Sequence, residues 1–195
     1  MKKFCRLFTV IATVLFVFTF RLETIAQSAP VNKLGLSLLG ESFSYKNGIS
    51  PSIGFIWDRK VKGHNGFETG LFFRTSLDRE RLFTNWDYNN TTIYDVRENY
   101  ITIPILYKYS SDILNVSGGL SMEYYLGWKQ TGGEPIGFMR FSDAIFDLGP
   151  IIKIGRTISM GGNLVIEPEI RLGNYAVDGG FFYGAGLQIK NILTN

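Results

Sequence analysis

The sequence predicts an all-β protein: an eight-stranded antiparallel up-and-down transmembrane β-barrel that follows an N-terminal signal peptide. Three observations predict this fold. Eight segments alternate between apolar and polar residues over lengths that exceed those of most soluble strands. The connections between the segments alternate between short and long. The polar faces combine charged residues with glycines, which suits the crowded interior of a small barrel.

Residues 1–26 are predicted to be a secretory signal peptide, and residues 27–195 the barrel domain. A basic start precedes an apolar run over residues 7–20, and a small-residue cleavage site follows. Arg21 interrupts the apolar run, which is then too short for a comfortable membrane-spanning helix. The single cysteine, Cys5, lies in this segment, so the barrel domain has no thiol for a disulfide, a metal site or a nucleophile.

The barrel domain is electrically neutral once the leader is subtracted. The leader holds four of the 20 basic residues and one of the 17 acidic residues, which leaves 16 of each. There is no block of like charge and no basic patch interleaved with aromatic residues, so the sequence gives no support to a nucleic-acid partner. The length suits one domain, and no linker or low-complexity tract divides it.

The predicted strands each reach the roughly 9–11 residues that a tilted strand needs to cross a bilayer. They span residues 33–45, 49–59, 67–78, 94–109, 113–128, 144–156, 164–174 and 181–192.

The connections follow the pattern of outer-membrane barrels, which have short periplasmic turns and longer outer loops. Residues 79–93 and 129–143 form two long connections after odd-numbered strands, whereas residues 110–112 form a short one after an even-numbered strand. This alternation puts both termini on the periplasmic side.

The distribution of glycine and charge predicts which face of each strand points inward. A soluble lipocalin-like barrel alternates equally well, but it has apolar residues inside and polar residues outside. Here the charges share a face with glycines, and the apolar faces carry aromatic residues towards their ends, as a lipid-facing band does. The charges are therefore predicted to line the lumen. The predicted lumenal polar network comprises Glu68, Arg74, Lys108, Glu123, Asp147, Lys153, Glu167, Glu169, Arg171 and Lys190.

The strand ENYITIPILYKYS, residues 98–110, resembles the Tyr-x-Glu-Ile-Pro-Leu-x-x-Lys-Tyr strand of PorT-like outer-membrane β-barrel proteins of the Bacteroidetes. Thr102 stands where that pattern has an acidic residue. The resemblance implies the barrel fold and the outer membrane of a Gram-negative bacterium, and it implies no activity. Five residues match the pattern: Tyr100, Ile103, Pro104, Lys108 and Tyr109.

No residue pattern predicts catalysis, a cofactor or a metal. His64 is the only histidine, and no serine or carboxylate accompanies it in a recognisable arrangement. The charged run from Glu167 to Arg171 has the residue types of a paired-carboxylate site, but a lumenal salt-bridge network is the simpler interpretation.

The predicted function is therefore that of a small plugged outer-membrane barrel, a monomer with a structural or interaction role. Its outer loops would contact lipopolysaccharide or a protein partner, or else pack over the barrel mouth. Two alternatives stay open: a rim enzyme that acts on lipid or peptide, and a soluble periplasmic lipocalin-like carrier. The aromatic residues singled out for outer-loop contact are Phe83, Trp86, Tyr88, Phe138 and Phe141.

Overall fold

A computed structural model describes residues 31–44, 46, 48–83, 91–133, 145–177 and 180–193, with the backbone alone at 78–83 and 91–94. The predicted signal peptide lies outside these residues. In the described ranges, no helix has the length and apolar character needed to cross a membrane. The strands there are β1 (Val31–Phe43), β2 (Ser50–Lys62), β3 (Asn65–Phe83), β4 (Thr91–Ser110), β5 (Asn115–Gly133), β6 (Phe146–Gly155), β7 (Ile158–Gly161), β8 (Leu164–Asn174) and β9 (Phe181–Leu193).

The strands form one closed antiparallel sheet. Successive strands from β1 to β6 pair in order, β9 pairs with both β8 and β1, and β6 pairs with β8 to close the ring. When paired residues are traced around the ring from Gly155 on β6, through β8, β9 and β1 to β4, the path ends at Tyr125 on β5. The Tyr125 N–H donates to the Ile145 carbonyl at 2.9 Å. Ile145 lies ten residues before Gly155 in the same segment. This stagger is what tilts the strands of a closed barrel.

The sixth predicted strand differs from the observed one, and a proline on its neighbour gives the reason. β6 ends at Gly155, and β7 lies in the region predicted to be a turn. Pro168 on β8 has no N–H, and the β6–β8 pairing stops at the pair Gly155–Glu169 beside it. Arg156 N–H then donates to the Pro168 carbonyl at 3.2 Å, and β7 pairs with the start of β8. β6 and β7 pair with different parts of β8 and so occupy one strand position. The nine strands therefore form an eight-stranded barrel.

Two further strand prolines, Pro104 and Pro150, also lie where hydrogen bonding between strands is interrupted. The β3–β4 pairing has a gap between Thr69–Ile105 and Phe72–Thr102, which brackets the inward-facing Pro104. The Thr69 hydroxyl donates to the Pro104 carbonyl at 2.7 Å. Pro150 faces outward, one residue before β6 begins to pair with β8. Each missing N–H therefore falls at a break or an end of a ladder.

The two ends of the barrel differ, as predicted. At one end, here called the turn end, the connections are residues 63–64, 111–114 and 162–163. At the other, the loop end, β3 and β4 extend to Phe83 and from Thr91, so their connection is residues 84–90 rather than the predicted 79–93. The extra β3–β4 pairs therefore make this connection shorter than the sequence predicted.

Apolar side chains cover the outside of the barrel, and charged side chains are buried inside. Phe55 is 64% exposed, whereas Lys190 is 0% exposed. This is the reverse of the lipocalin arrangement. Exposed aromatic residues occur along the whole of this surface: Trp57, Phe67, Tyr107 and Tyr109 near the turn end, Phe55 and Phe73 nearer the middle, and Tyr124, Phe146, Phe181 and Tyr183 near the loop end.

Apolar residues also fill part of the lumen, and glycines make room for them. Leu39, Ile56 and Phe72 form one buried cluster. A Cβ atom at Gly54 would lie 2.6 Å from the Phe72 ring, and one at Gly173 would lie 2.3 Å from the Phe182 ring. These two glycines are therefore required by aromatic rings and not by the long charged side chains that their pattern suggested.

Candidate functional site

The lumen contains a set of ion pairs near the turn end, here called the turn-end cluster: Asp58, Glu68, Lys108, Lys153, Glu167 and Lys190. Lys108 Nζ donates to Asp58 Oδ2 at 2.8 Å, to Glu167 Oε1 at 2.8 Å and to Glu68 Oε2 at 3.2 Å. Lys190 Nζ contacts the same three carboxylates at 3.0, 2.9 and 3.3 Å. Lys153 pairs with Glu68. Six strands thus each contribute one charge to a single buried network.

The network continues towards the middle of the barrel through β8. Glu169 pairs with Lys153 at 2.8 Å and with Arg171 at 2.5 Å, and it accepts a hydrogen bond from Gln188 at 2.6 Å. Arg171 also lies 3.4 Å from Glu41 on β1. The run from Glu167 to Arg171 is therefore occupied by internal partners. Two carboxylates so engaged are not arranged to act as a general acid and a nucleophile.

A second set of charges, the loop-end cluster, lies nearer the long loops and is built around Arg74. The Arg74 guanidinium pairs with Glu123, and it lies 4.1 Å from the centre of the Phe43 ring and 4.4 Å from that of Tyr100. Such stacking on aromatic faces suits the planar guanidinium. Lys46 pairs with Glu98 and donates to the Tyr100 hydroxyl at 2.8 Å, which itself donates to Glu98 at 2.8 Å.

Aromatic rings pack inside the barrel beside this cluster. Tyr175 comes from the connection after β8, and its ring lies 5.2 Å from that of Phe182 and 6.4 Å from that of Phe43. Burial raises the pKa of the Tyr175 hydroxyl well above its ordinary value, and the nearby Glu123 carboxylate raises it further. The phenol therefore stays neutral. Ile151 and Leu106 complete this buried group.

Asp147 has a different role from the other predicted lumenal residues. Its Oδ1 accepts hydrogen bonds from the backbone N–H groups of Leu148, Ala176 and Val177 at 2.6, 3.1 and 3.0 Å. These bonds hold the connection that carries Tyr175 against the mouth of the barrel. Asp147 thus positions the connection and does not join the ion-pair clusters described above.

His64 lies in the turn between β2 and β3, at the turn end. Its Nδ1 lies 2.7 Å from the Ser110 carbonyl oxygen, and its ring packs on Tyr109 at 5.5 Å. The hydroxyl of Ser111 donates to the Leu114 carbonyl at 2.8 Å and so caps its own turn. Neither group forms part of a nucleophile–base pair in the described part of the chain.

The outer-loop aromatic residues lie largely beyond what the structure describes. Phe83 ends β3, where its backbone pairs with Thr91. Trp86, Tyr88, Phe138 and Phe141 lie outside the described residues. Across the described ranges, no group of three or more His, Cys, Asp or Glu side chains is placed to hold a metal ion.

Several members of the lumenal network did not emerge from the sequence. Asp58 and Glu41 share the inward face of their strands with residues of the predicted network, so their alternation was the available signal. Lys46 and Tyr175 lie in connections, where a period of two carries no information. Alternation along a strand does not reveal the stagger between strands, and this stagger is what brings residues of distant strands together.

The chain was compared with known proteins. No protein-family model and no characterised protein sequence matches it. Solved structures do match. The attachment invasion locus protein Ail of Yersinia pestis, in complex with the heparin analogue sucrose octasulfate, has 11% identity and a TM-score of 0.46, with 84% of this chain and 97% of that chain covered.

Two further matches have a similar extent. Neisserial surface protein A has 8% identity and a TM-score of 0.45, and the match covers 84% of this chain and 97% of that chain. The outer-membrane protein AlkL, solved in lipid bilayers, has 10% identity and a TM-score of 0.45, with 90% of this chain and 98% of that chain covered. The chain is thus similar to small β-barrels along nearly their whole length.

Proposed function

We propose that this protein is a plugged outer-membrane barrel whose role is contact and not transport or catalysis. The observation that carries the proposal is the filled lumen inside an apolar exterior. A ring of eight strands leaves an interior only wide enough for side chains, and here both charge clusters and the Phe43–Tyr175–Phe182 rings occupy it. This filling by described side chains supports a barrel that does not conduct solutes.

The exterior supports placement in a bilayer. Ten residues of β6 at a rise of roughly 3.3 Å, tilted by about 40°, span about 25 Å, which is the height of the apolar band of a membrane barrel. Leu36, Ile105 and Ile170 belong to the exposed apolar face. A closed sheet leaves no unpaired edge in the hydrocarbon. A soluble carrier would expose this surface to water.

Contact with lipid phosphate at the loop end is the interaction that the described surface favours. Arg97 and Lys129 lie directly opposite each other on β4 and β5, and both side chains are exposed. Like charges at facing positions repel unless an anion lies between them. Both residues follow the aromatic end of the apolar band, where Tyr124 lies. Lipopolysaccharide phosphate is the anion found at that level of an outer leaflet.

Membership of the PorT-like barrels of the Bacteroidetes is part of the same proposal. Its support is the strand of residues 98–110, in which Lys108 is a central cation of the turn-end cluster and Pro104 lies at the gap in the β3–β4 ladder. The lysine and the proline of the family pattern thus each have a structural role at these positions. A monomeric state is consistent with a lumen that one chain fills.

A rim enzyme is the second candidate that the sequence left open. The turn-end residues with suitable chemistry, His64 and Ser111, are each bound to a backbone group of a neighbouring turn. No described contact links them. We therefore propose an interaction role in preference to a catalytic one.

Membrane fractionation and electrophoresis test the placement. We expect the protein in the outer-membrane fraction, and in detergent an unheated sample should migrate faster than a boiled one, because the closed barrel stays compact. Recovery of folded protein from the soluble periplasmic fraction without detergent would contradict the proposal and favour the lipocalin-like carrier.

A further inference from the structure

The turn end of the lumen opens into a polar cleft of about 350 Å³, here called the vestibule. Its floor is the turn-end cluster, because Asp58 lines the vestibule and also pairs with Lys108 and Lys190. Its walls come from β1 and β2 on one side and from the start of β5 and the β6–β7 connection on the other. The lining includes Lys33, Lys60, Asp112, Asn115 and Thr157.

One wall of the vestibule carries two cations that lack partners. Lys33 faces Asp58 across the β1–β2 ladder, and Lys60 lies two residues further along β2. The Asp58 carboxylate is already shared by Lys108 at 2.8 Å and Lys190 at 3.0 Å. Within the described ranges, neither Lys33 nor Lys60 forms an ion pair within 4 Å. This wall therefore presents positive charge to whatever occupies the vestibule.

The facing wall offers hydrogen-bond acceptors. β5 stands opposite β1 in the ring, four places away. Asn115 on β5 is 1% exposed, and its Nδ2 donates to Thr157 Oγ1 at 2.8 Å, while its Oδ1 has no partner. An unpaired buried acceptor costs free energy until a donor reaches it. Asp112 adds a carboxylate to the same wall.

We propose that the vestibule binds a small organic acid that carries a hydroxyl or amino group besides its carboxylate. The carboxylate would lie against Lys33 and Lys60, and the hydroxyl or amino group would donate to Asn115 Oδ1. A volume of about 350 Å³ is at the lower end of ligand pockets, so the ligand is a small molecule. The site is independent of the contact role proposed for the loop end.

Lactate and propionate are the matched probes, because they differ by one hydroxyl. We expect the side-chain amide signal of Asn115, observed by NMR in detergent micelles, to shift saturably with lactate. Propionate should bind at least tenfold more weakly, since a site that bonds a hydroxyl rejects the analogue that lacks it. Equal, non-saturating shifts with both acids would overturn the proposal and indicate ionic screening only.

Variants separate the vestibule from general surface charge. Lys33→Met and Lys60→Met should each weaken lactate binding at least tenfold, whereas Lys62→Met, an exposed lysine outside the vestibule, should leave it unchanged. Each variant must first show the heat-dependent mobility of a folded barrel. If the wild type, Lys33→Met and Lys60→Met bind lactate with the same affinity, the assignment of the basic wall is refuted.

Discussion

Replacing Lys108 by methionine tests whether the lumen is held together by its buried charges. The substitution keeps most of the side-chain volume but removes the ammonium that contacts Asp58, Glu167 and Glu68 within 3.2 Å. Removal of one partner from a buried charge network costs about 3–5 kcal/mol. Lys190 still contacts the same three carboxylates, so we expect the lower figure, about 3 kcal/mol.

Reversible urea unfolding in lipid vesicles, followed by the gel mobility of the folded barrel, measures this cost. Lys62→Met serves as the control, because Lys62 is exposed at the end of β2 and its loss should change stability by about 0.5 kcal/mol at most. Adding Glu167→Gln to Lys108→Met should recover part of the loss, since it removes one of the uncompensated negative charges. A Lys108→Met barrel as stable as the control would refute the account of a dry, charge-paired lumen.

Two further substitutions probe other parts of the lumen. Arg171→Met removes the 2.5 Å ion pair with Glu169 and should destabilise the barrel by about 3–5 kcal/mol. Loss of heat resistance on gels measures this effect. Heat resistance equal to the wild type would show that the inward face of β8 is well solvated. Gly173→Ala places a Cβ atom 2.3 Å from the Phe182 ring and should cost about 1–3 kcal/mol in urea unfolding. Gly118→Ala should cost less, because its Cβ would lie 4.0 Å from the Ile151 carbonyl oxygen; equal effects of the two substitutions would contradict the packing described.

The alternation of the sequence predicted much of the fold because a period of two fixes the face of every residue in a strand. This rule placed Lys108, Glu167 and Lys190 on the same faces as the glycines, the sharing of a face by charges and glycines indicated that these faces point inward, and the structure buries all three. Their mutual contacts depend on the stagger between strands. Asp58 meets Lys108 from β2, two strands away in the ring, and no local pattern encodes that distance.

The differences in strand boundaries have backbone causes. Pro168 cannot donate to β6, so β7 forms as a separate strand where a turn was predicted. The long connection after β3 shortened because its flanking residues continue to pair as far as Phe83 and Thr91. Tyr175 belongs to a connection held by Asp147, and side chains in connections follow no periodic rule. The burial of Tyr175 beside the inward-facing strands could therefore not be predicted from the alternation.

The conductance of single barrels in planar lipid bilayers tests the central claim most directly. We propose that the two charge clusters and the rings of Phe43, Tyr175 and Phe182 fill the interior of the eight-stranded barrel, whereas water-filled pores belong to barrels of about sixteen strands or more. We expect no steady conductance of porin size after insertion, with insertion verified by heat-dependent mobility of the reconstituted protein. A stable open channel of porin size would contradict the filled lumen, the strand count or the monomeric state.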